Sequence, residues 1–336
     1  MKLWALAATV AAFLTAAPMT QAAEPVRIGV GSFNLNNLPF PLAVGLGYYA
    51  EEGLDVTMEN FAAGGSKALQ ALVSGSVDVG VGFYDHTIQM QSVRKEVVSV
   101  ALLAHNSGLV LAGPENTRFD PAKPETIKGL NVGITAPGSS SDFFIRYYLK
   151  RHGLNPSDIG IIGVGSGPTA VVALEQGKID LLVNYDPAAT ILTERKIGKI
   201  LIDGRSAAGA TEIYGGLYPT STLYVTGATL KAKPEMIQKA VNATVRAMLW
   251  AQSHSAEEIM AKLPPSFVPE DKEGYAQAIR NAMPILSPDG LFDPATLQVP
   301  LDVLSAFNPQ VAGAAIDLNK TYTNAFVEKA LAQYRK

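Results

Sequence analysis

The chain has 336 residues, 48% of them hydrophobic and 17% charged, no cysteine and a formal net charge of −3. That length predicts about two domains with ample core. A near-neutral charge spread without basic blocks leaves no electrostatic footprint for nucleic acid, and the lack of cysteine removes thiol nucleophiles, disulfides, thiolate metal sites and iron–sulfur clusters. His86, His105, His152 and His254 lack the close helical spacing of a zinc pair, so neither metal nor cofactor is expected.

Residues 1–22 read as an export signal. Lys2 is the positive start, Leu3 to Ala17 is apolar, and Thr20 and Ala22 fit the small-residue positions of a signal-peptidase site, with cleavage after Ala22. The apolar run is shorter than the ~20 residues needed to span a bilayer. With no cysteine for lipid attachment, the expectation is a free, monomeric protein in the periplasm of a Gram-negative cell.

An internal repeat organises the chain beyond the signal. Gly65 to Val81 (GSKALQALVSGSVDVGV) aligns without a gap with Gly167 to Val183 (GPTAVVALEQGKIDLLV), pairing Gly65 with Gly167, Gly75 with Gly177 and Asp78 with Asp180. Upstream, Val26 to Ser32 parallels Leu130 to Ala136, and Tyr48 to Val56 parallels Tyr147 to Pro156. Each half predicts strand, helix, strand, helix, strand. Helical spacing runs from Pro39 to Glu52 and from Ser139 to His152, and stops at Gly53 and Gly153. This alternation implies two α/β lobes with parallel-rich sheets covered on both faces. Pro114 to Thr126 reads as a surface connection, and Thr220 to Gly227 alternates like a strand. After it come helices, one with an apolar stripe of Ile237, Val241, Val245, Met248 and Leu249 and one opened by the capping box Ser255/Glu258. This block is expected to pack back on the first lobe, so the lobes are 23–112 plus 218–336 and 113–217, with hinges near Ser107 to Ala112 and Gly216 to Thr220.

In open parallel sheets ligands sit beyond the carboxyl ends of the strands. Six loops qualify: 31–37, 62–67 and 83–87 in one lobe, and 135–142, 163–168 and 184–188 in the other. They supply the candidate ligand-binding residues Asn34, Asn36, Gly65, Ser66, Phe83, Tyr84, His86, Ser139, Ser140, Ser141, Asn184, Tyr185 and Asp186, with Tyr218 from the return crossing. Glycine and serine at helix openings present amides and hydroxyls to an anionic group, although Ser139 with Asp142 also fits a capping box. Aromatic rings suit an apolar or aromatic body. His86 can donate to an anion, or stand as a solvated first-turn residue behind an Asp85 cap; Asp186 can accept from an amino group or cap the next helix. Lys67 and Arg205 are the other basic residues near these loops, too few for a multiply charged anion. No catalytic motif is present: no GxSxG, GxGxxG, GK[ST] or HExxH.

The segments GLGYYAEEGLDV, GGSKALQALVSGSVDVGV with YDHTIQMQ, GLNVGITAPGSSSDFF, ALEQGKIDLLVNYDPA and TYTNAFVEKAL resemble the periplasmic solute-binding proteins of ABC importers for nitrate, sulfonate and taurine, a group that shares its domain with thiamine-pyrimidine synthase. The resemblance covers nearly all of the chain after the export signal. It implies a two-lobed type II periplasmic-binding fold with two crossover strands, closing over a small solute and delivering it to a membrane permease with its cytoplasmic ATPase. It also supports Ser66, Tyr84, His86, Ser139, Ser140, Asn184 and Tyr185 as ligand contacts. The expected solute is a small organic anion of sulfonate, nitrate, taurine or aromatic type. Binding of a thiamine pyrimidine and a sensing module are alternatives. The synthase itself, which uses a cysteine-rich iron motif and a histidine with pyridoxal phosphate, is disfavoured by the absence of cysteine and by the export signal.

Overall fold

A computed structural model describes residues 22–62 and 64–335. The expected export signal, apart from Ala22, lies outside the described residues. The first half runs β1 (Glu24–Val30), α1 (Pro39–Gly45), α2 (Tyr48–Glu51), β2 (Leu54–Asn60), α3 (Gly65–Val73), β3 (Val79–Phe83), α4 (Asp85–Ser92) and β4 (Val97–Leu102). The second runs β5 (Val110–Pro114), β6 (Asn131–Ile134), α5 (Ser140–Arg151), β7 (Gly160–Gly163), α6 (Pro168–Glu175), β8 (Leu181–Asn184), α7 (Ala188–Glu194), β9 (Gly198–Asp203) and α8 (Ala207–Tyr214). β10 (Ser221–Thr226) comes next, then α9 (Gly227–Ala232), α10 (Pro234–Ala251), α11 (Ala256–Lys262), α12 (Lys272–Ala282), α13 (Gln298–Phe307) and a final helix Ala325–Tyr334. None of the described helices is long and apolar enough to cross a membrane.

Two five-stranded sheets result, ordered β2-β1-β3-β10-β4 and β7-β6-β8-β5-β9. In each, one strand is antiparallel to its neighbours: β10 between β3 and β4, and β5 between β8 and β9. Both are the strands next to the crossings. Each crossing therefore feeds directly into the interior of a sheet, which fixes the lobes to the hinge without a floppy linker. The expected boundary after residue 112 moves upstream for the same reason, because Val110, Leu111 and Ala112 are hydrogen-bonded into the second sheet.

The repeat has a physical basis at Asp78 and Asp180. The Asp78 amide donates to the Arg27 carbonyl at 2.8 Å while its carboxylate accepts the Arg27 amide at 3.0 Å. Asp180 and Asn131 repeat this exchange at 2.8 and 2.7 Å. In both lobes an aspartate after the second helix ties down the start of the first strand.

The helix expected from Pro39 to Glu52 is broken in two. Gly47 takes φ 77°, a left-handed conformation that glycine adopts without a Cβ clash, and the chain turns there. The Ser255/Glu258 capping box forms as expected, whereas the Ser139/Asp142 box does not. Asp142 instead accepts the Gly138 amide at 2.8 Å and the Arg146 guanidinium at 2.7 Å.

Ile237, Val241 and Val245 of α10 bury against Val26, Ile28 and Val81 of the first sheet. α13 departs from expectation. Its Val303 joins the second lobe's core with Phe144 and Tyr214, and its Leu304 packs with Tyr84 and Phe143. Asn281 of α12 also donates to Thr190 of α7 at 3.0 Å. The C-terminal block thus packs on both lobes rather than on the first alone, because its helices carry apolar residues on more than one face.

Candidate functional site

The carboxyl ends of both sheets face each other, and the lobes touch directly. The hydroxyls of Ser32 and Tyr185 lie 2.9 Å apart, those of Ser66 and Ser139 3.2 Å apart, and the Leu35 amide donates to the Asp186 carbonyl at 3.1 Å. Each pair joins one lobe to the other, which is a closed arrangement.

Between these contacts lies a cavity of about 20 Å³ lined by Gly31, Ser32, Asn34, Asn37, Gly65, Val81, Gly82, Phe83, His86, Thr135, Ser139, Ser140, Ser141 and Tyr185. A single water needs roughly 10–15 Å³ on this scale, so the closed space suits a very small group. Three helices open onto it: α3 at Gly65, α4 at His86, and α5 at Ser140 and Ser141. Helix N-termini carry unpaired amides and about half a positive charge each. Among the described lining residues there is no lysine or arginine. The donors are hydroxyls, amides and one imidazole.

His86 is fully buried, and neither ring nitrogen has a hydrogen-bond partner. The Phe143 and Tyr224 rings pack at near right angles to it, and a Cβ on Gly65 would sit 2.6 Å from its Cε1, so only glycine at that position lets the ring lie against the start of α3. Burial pushes the His86 pKa below the ordinary imidazole value, opposed by the Asp85 carboxyl, whose Oδ1 is 4.0 Å from Nε2. Asp85 is itself fully buried, and its pKa is raised by that burial. The Ser140 and Tyr218 hydroxyls each donate to it at 3.0 Å, and His86 and both of these hydrogen bonds counter the rise. Burial also raises the Tyr185 pKa, against its hydrogen bonds with Ser32, Asn34 and Thr135. The phenol is neutral, and in its pair with Ser32 either hydroxyl can donate.

The structure brings Asn34, Gly65, Phe83, His86, Ser139, Ser140, Ser141 and Tyr185 together around the cavity. It assigns other work to the rest. Tyr84 points away, its hydroxyl 2.6 Å from that of Thr321 and its ring against Phe292. Asn36 sits at the hinge, where its side-chain amide donates to the Ser107 carbonyl at 2.9 Å. Thr220 of the second crossing donates its amide to Ala104 at 2.9 Å and its hydroxyl to Asn106 at 2.7 Å, so the two crossings are bonded to each other. Asn184 braces the loop by accepting the Tyr185 amide at 3.1 Å and donating to the Gly165 carbonyl at 3.2 Å. Asp186 accepts the Thr190 amide and hydroxyl at 2.9 and 2.7 Å and lies 3.5 Å from Arg205. Ser66 and Tyr218 hold Ser139 and Asp85 rather than lining the space. Asp85 is no N-cap, and His86 is not solvated.

Sequence reasoning passed over Gly31, Ser32, Asn37, Val81, Gly82 and Thr135. Four of these six belong to the flagged loops 31–37 and 135–142, and the repeat matches Val30-Gly31 with Ile134-Thr135, a signal that could have found them. Beside the cavity a wider groove of about 520 Å³ is lined from both lobes and the C-terminal block, with Phe33, Pro187, Ile191, Phe267 and Tyr275 among its walls.

The sequence pattern of the NMT1-like family matches residues 19–264. A protein of Bordetella bronchiseptica RB50 is 36% identical, superposes with a TM-score of 0.88, and covers 94% of this chain and 99% of its own. The periplasmic aliphatic sulphonate binding protein SsuA from Escherichia coli superposes with a TM-score of 0.61 at 20% identity, over 88% of this chain and 96% of its own. The periplasmic nitrate-binding protein NrtA from Synechocystis PCC 6803 does so with 0.67 at 16%, over 93% and 89%. With this family match and this architecture, the chain belongs to the NMT1-like family and has the two-lobed periplasmic-binding-protein fold of ABC import systems.

Proposed function

We propose that this protein is the periplasmic solute-capture component of an ABC importer and that its cargo is a small organic monoanion. The observation that carries the reading is the convergence of three helix N-termini, drawn from both lobes, on one small cavity whose donors are neutral. Such termini stabilise an anion by roughly 0.3–1 kcal/mol each when exposed and up to ~2 when partly buried. Without arginine or lysine at hand, a singly charged oxoanion is matched and a phosphate dianion is not.

The cavity takes the charged head. An apolar or aromatic body is accommodated by the adjoining groove with Phe33, Phe267 and Tyr275, which favours sulfonates and aromatic carboxylates over bare nitrate. The neighbours described as binding sulphonate and nitrate agree with the charge of the head. Closure about the bonded crossings, 103–109 and 215–220, engages ligand from both lobes, and the closed form docks on the permease with its cytoplasmic ATPase.

A thermal-shift screen of the exported chain against nitrate, taurine, alkanesulfonates, arylsulfonates, aromatic carboxylates and thiamine pyrimidines tests this. A ligand at 100 times its dissociation constant adds about 2.7 kcal/mol, a shift of several degrees. Stabilisation by sulfonates or carboxylates with compaction in small-angle scattering is expected. Stabilisation by the neutral pyrimidines alone, or no compaction on binding, would overturn it.

A further inference from the structure

His86 is a buried polar side chain with nothing to bond to. Both its nitrogens are unpartnered, it is fully buried, and it lines the cavity at the opening of α4. Two acceptors lie close to the ring on the protein side. The Asp85 carboxylate is 4.0 Å from Nε2, and the Gly138 carbonyl faces the ring without reaching hydrogen-bond geometry. Neutral imidazole offers one donor and one acceptor, while imidazolium offers two donors. An oxoanion placed in the cavity adds a further acceptor. The ring then has acceptors on both sides, and only imidazolium satisfies both.

The surrounding groups leave this role to His86. Asp85 accepts the Ser140 hydroxyl at Oδ1 and the Tyr218 hydroxyl at Oδ2, so both of its oxygens are already engaged, and above its raised pKa it serves as counter-charge to the ring. The Tyr224 ring packs at a near right angle to the imidazole and its hydroxyl is buried without a partner, and Tyr185 is a neutral phenol across the cavity. Tyr214 bonds to Ser107. On α3, Lys67 reaches Gln70, and on α5 the Asp142 carboxylate is neutralised by Arg146.

We propose that His86 meets the anionic oxygen of the ligand as imidazolium, so that filling the cavity with a singly charged oxoanion draws one proton from solvent onto this ring. Asp85, His86 and the anion then form a row of alternating charge linking α4 to the ligand. No bond other than N–H is made, and the proton is returned to solvent on release. This rests on the anion reading above and adds to it the residue that recognises the charge.

The test uses methanesulfonate and benzenesulfonate as probes on the full exported chain labelled with ¹⁵N-histidine. At neutral to slightly alkaline pH, saturating probe moves both His86 nitrogens to imidazolium positions. Affinity rises about tenfold for each pH unit lowered while the free ring is neutral, the slope of one linked proton. His86→Gln, which keeps one donor and the volume of the ring, binds more weakly and with no pH slope. Bound probe with His86 still neutral, or wild-type affinity flat with pH, overturns the proposal and leaves the anion reading standing. Failure of both probes and of the wider oxoanion panel to bind overturns the two together.

Discussion

Asp85 of the first lobe accepts the Ser140 hydroxyl of the second at 3.0 Å, although neither lies near the other in sequence and both are buried. The same carboxylate receives Tyr218 from the return crossing at 3.0 Å. One side chain therefore binds lobe one, lobe two and the hinge strand region into the closed arrangement.

Asp85 makes stability fall as pH rises. Its folded pKa is raised above the unfolded carboxyl value of ~3.9, so its contribution is complete below that value and is lost as pH rises through the folded pKa. Asp85→Asn removes this loss and keeps a side chain able to accept. Urea unfolding at mildly acidic and mildly alkaline pH will show a smaller fall in stability for the variant than for the wild type.

Gly65→Ala separates folding from binding. Alanine suits the first turn of α3, but its Cβ would stand 2.6 Å from Cε1 of His86. The expected result is an unfolding free energy within about 1 kcal/mol of wild type. Sulfonate affinity, measured by calorimetry, falls more than about tenfold because the imidazole is displaced from the cavity.

Tyr185 contributes both a ring beside Phe83, with centroids 6.1 Å apart, and a hydroxyl 2.9 Å from Ser32 across the cleft. Tyr185→Phe removes only the second and should weaken ligand binding by about 0.5–1.5 kcal/mol, roughly two- to tenfold. Tyr185→Ala also loses the ring and should cost about 1–3 kcal/mol. Equal affinity in all three proteins by calorimetry would place Tyr185 outside the site.

Asp180→Ala unties β6 from the loop before β8 by removing the carboxylate that accepts the Asn131 amide at 2.7 Å. A loss of roughly 1–2 kcal/mol is expected, reduced from the buried-charge range by solvent exposure. Asp78→Ala should act alike in lobe one. Its pKa lies below the ordinary carboxylate value because the Arg27 amide and Lys233 outweigh burial. Its contribution is therefore present above the unfolded value and lost as pH falls through the folded one. Chemical denaturation on both sides of that range reads the effect.

Much of this architecture is legible in the order of residues. The repeat reports two lobes because Asp78 and Asp180 perform the same backbone exchange in each, and Gly65 and Gly167 open equivalent helices. Strand–helix alternation then fixes which loops lie at the carboxyl ends, and hence the neighbourhood of the site. Those signals are local, set by periodicity and by residues close in the chain. The direction of each side chain was decided by tertiary packing. Phe83 and His86 face the cavity while Tyr84, between them, turns to Thr321 and Phe292, contacts that exist only because the C-terminal block folds across both lobes. Asn36 went to the hinge and Asp186 to Thr190 and Arg205 for the same reason. Composition allows a charge-poor cleft, but the burial of His86 without a partner and the small size of the space around it arise only when the two lobes meet.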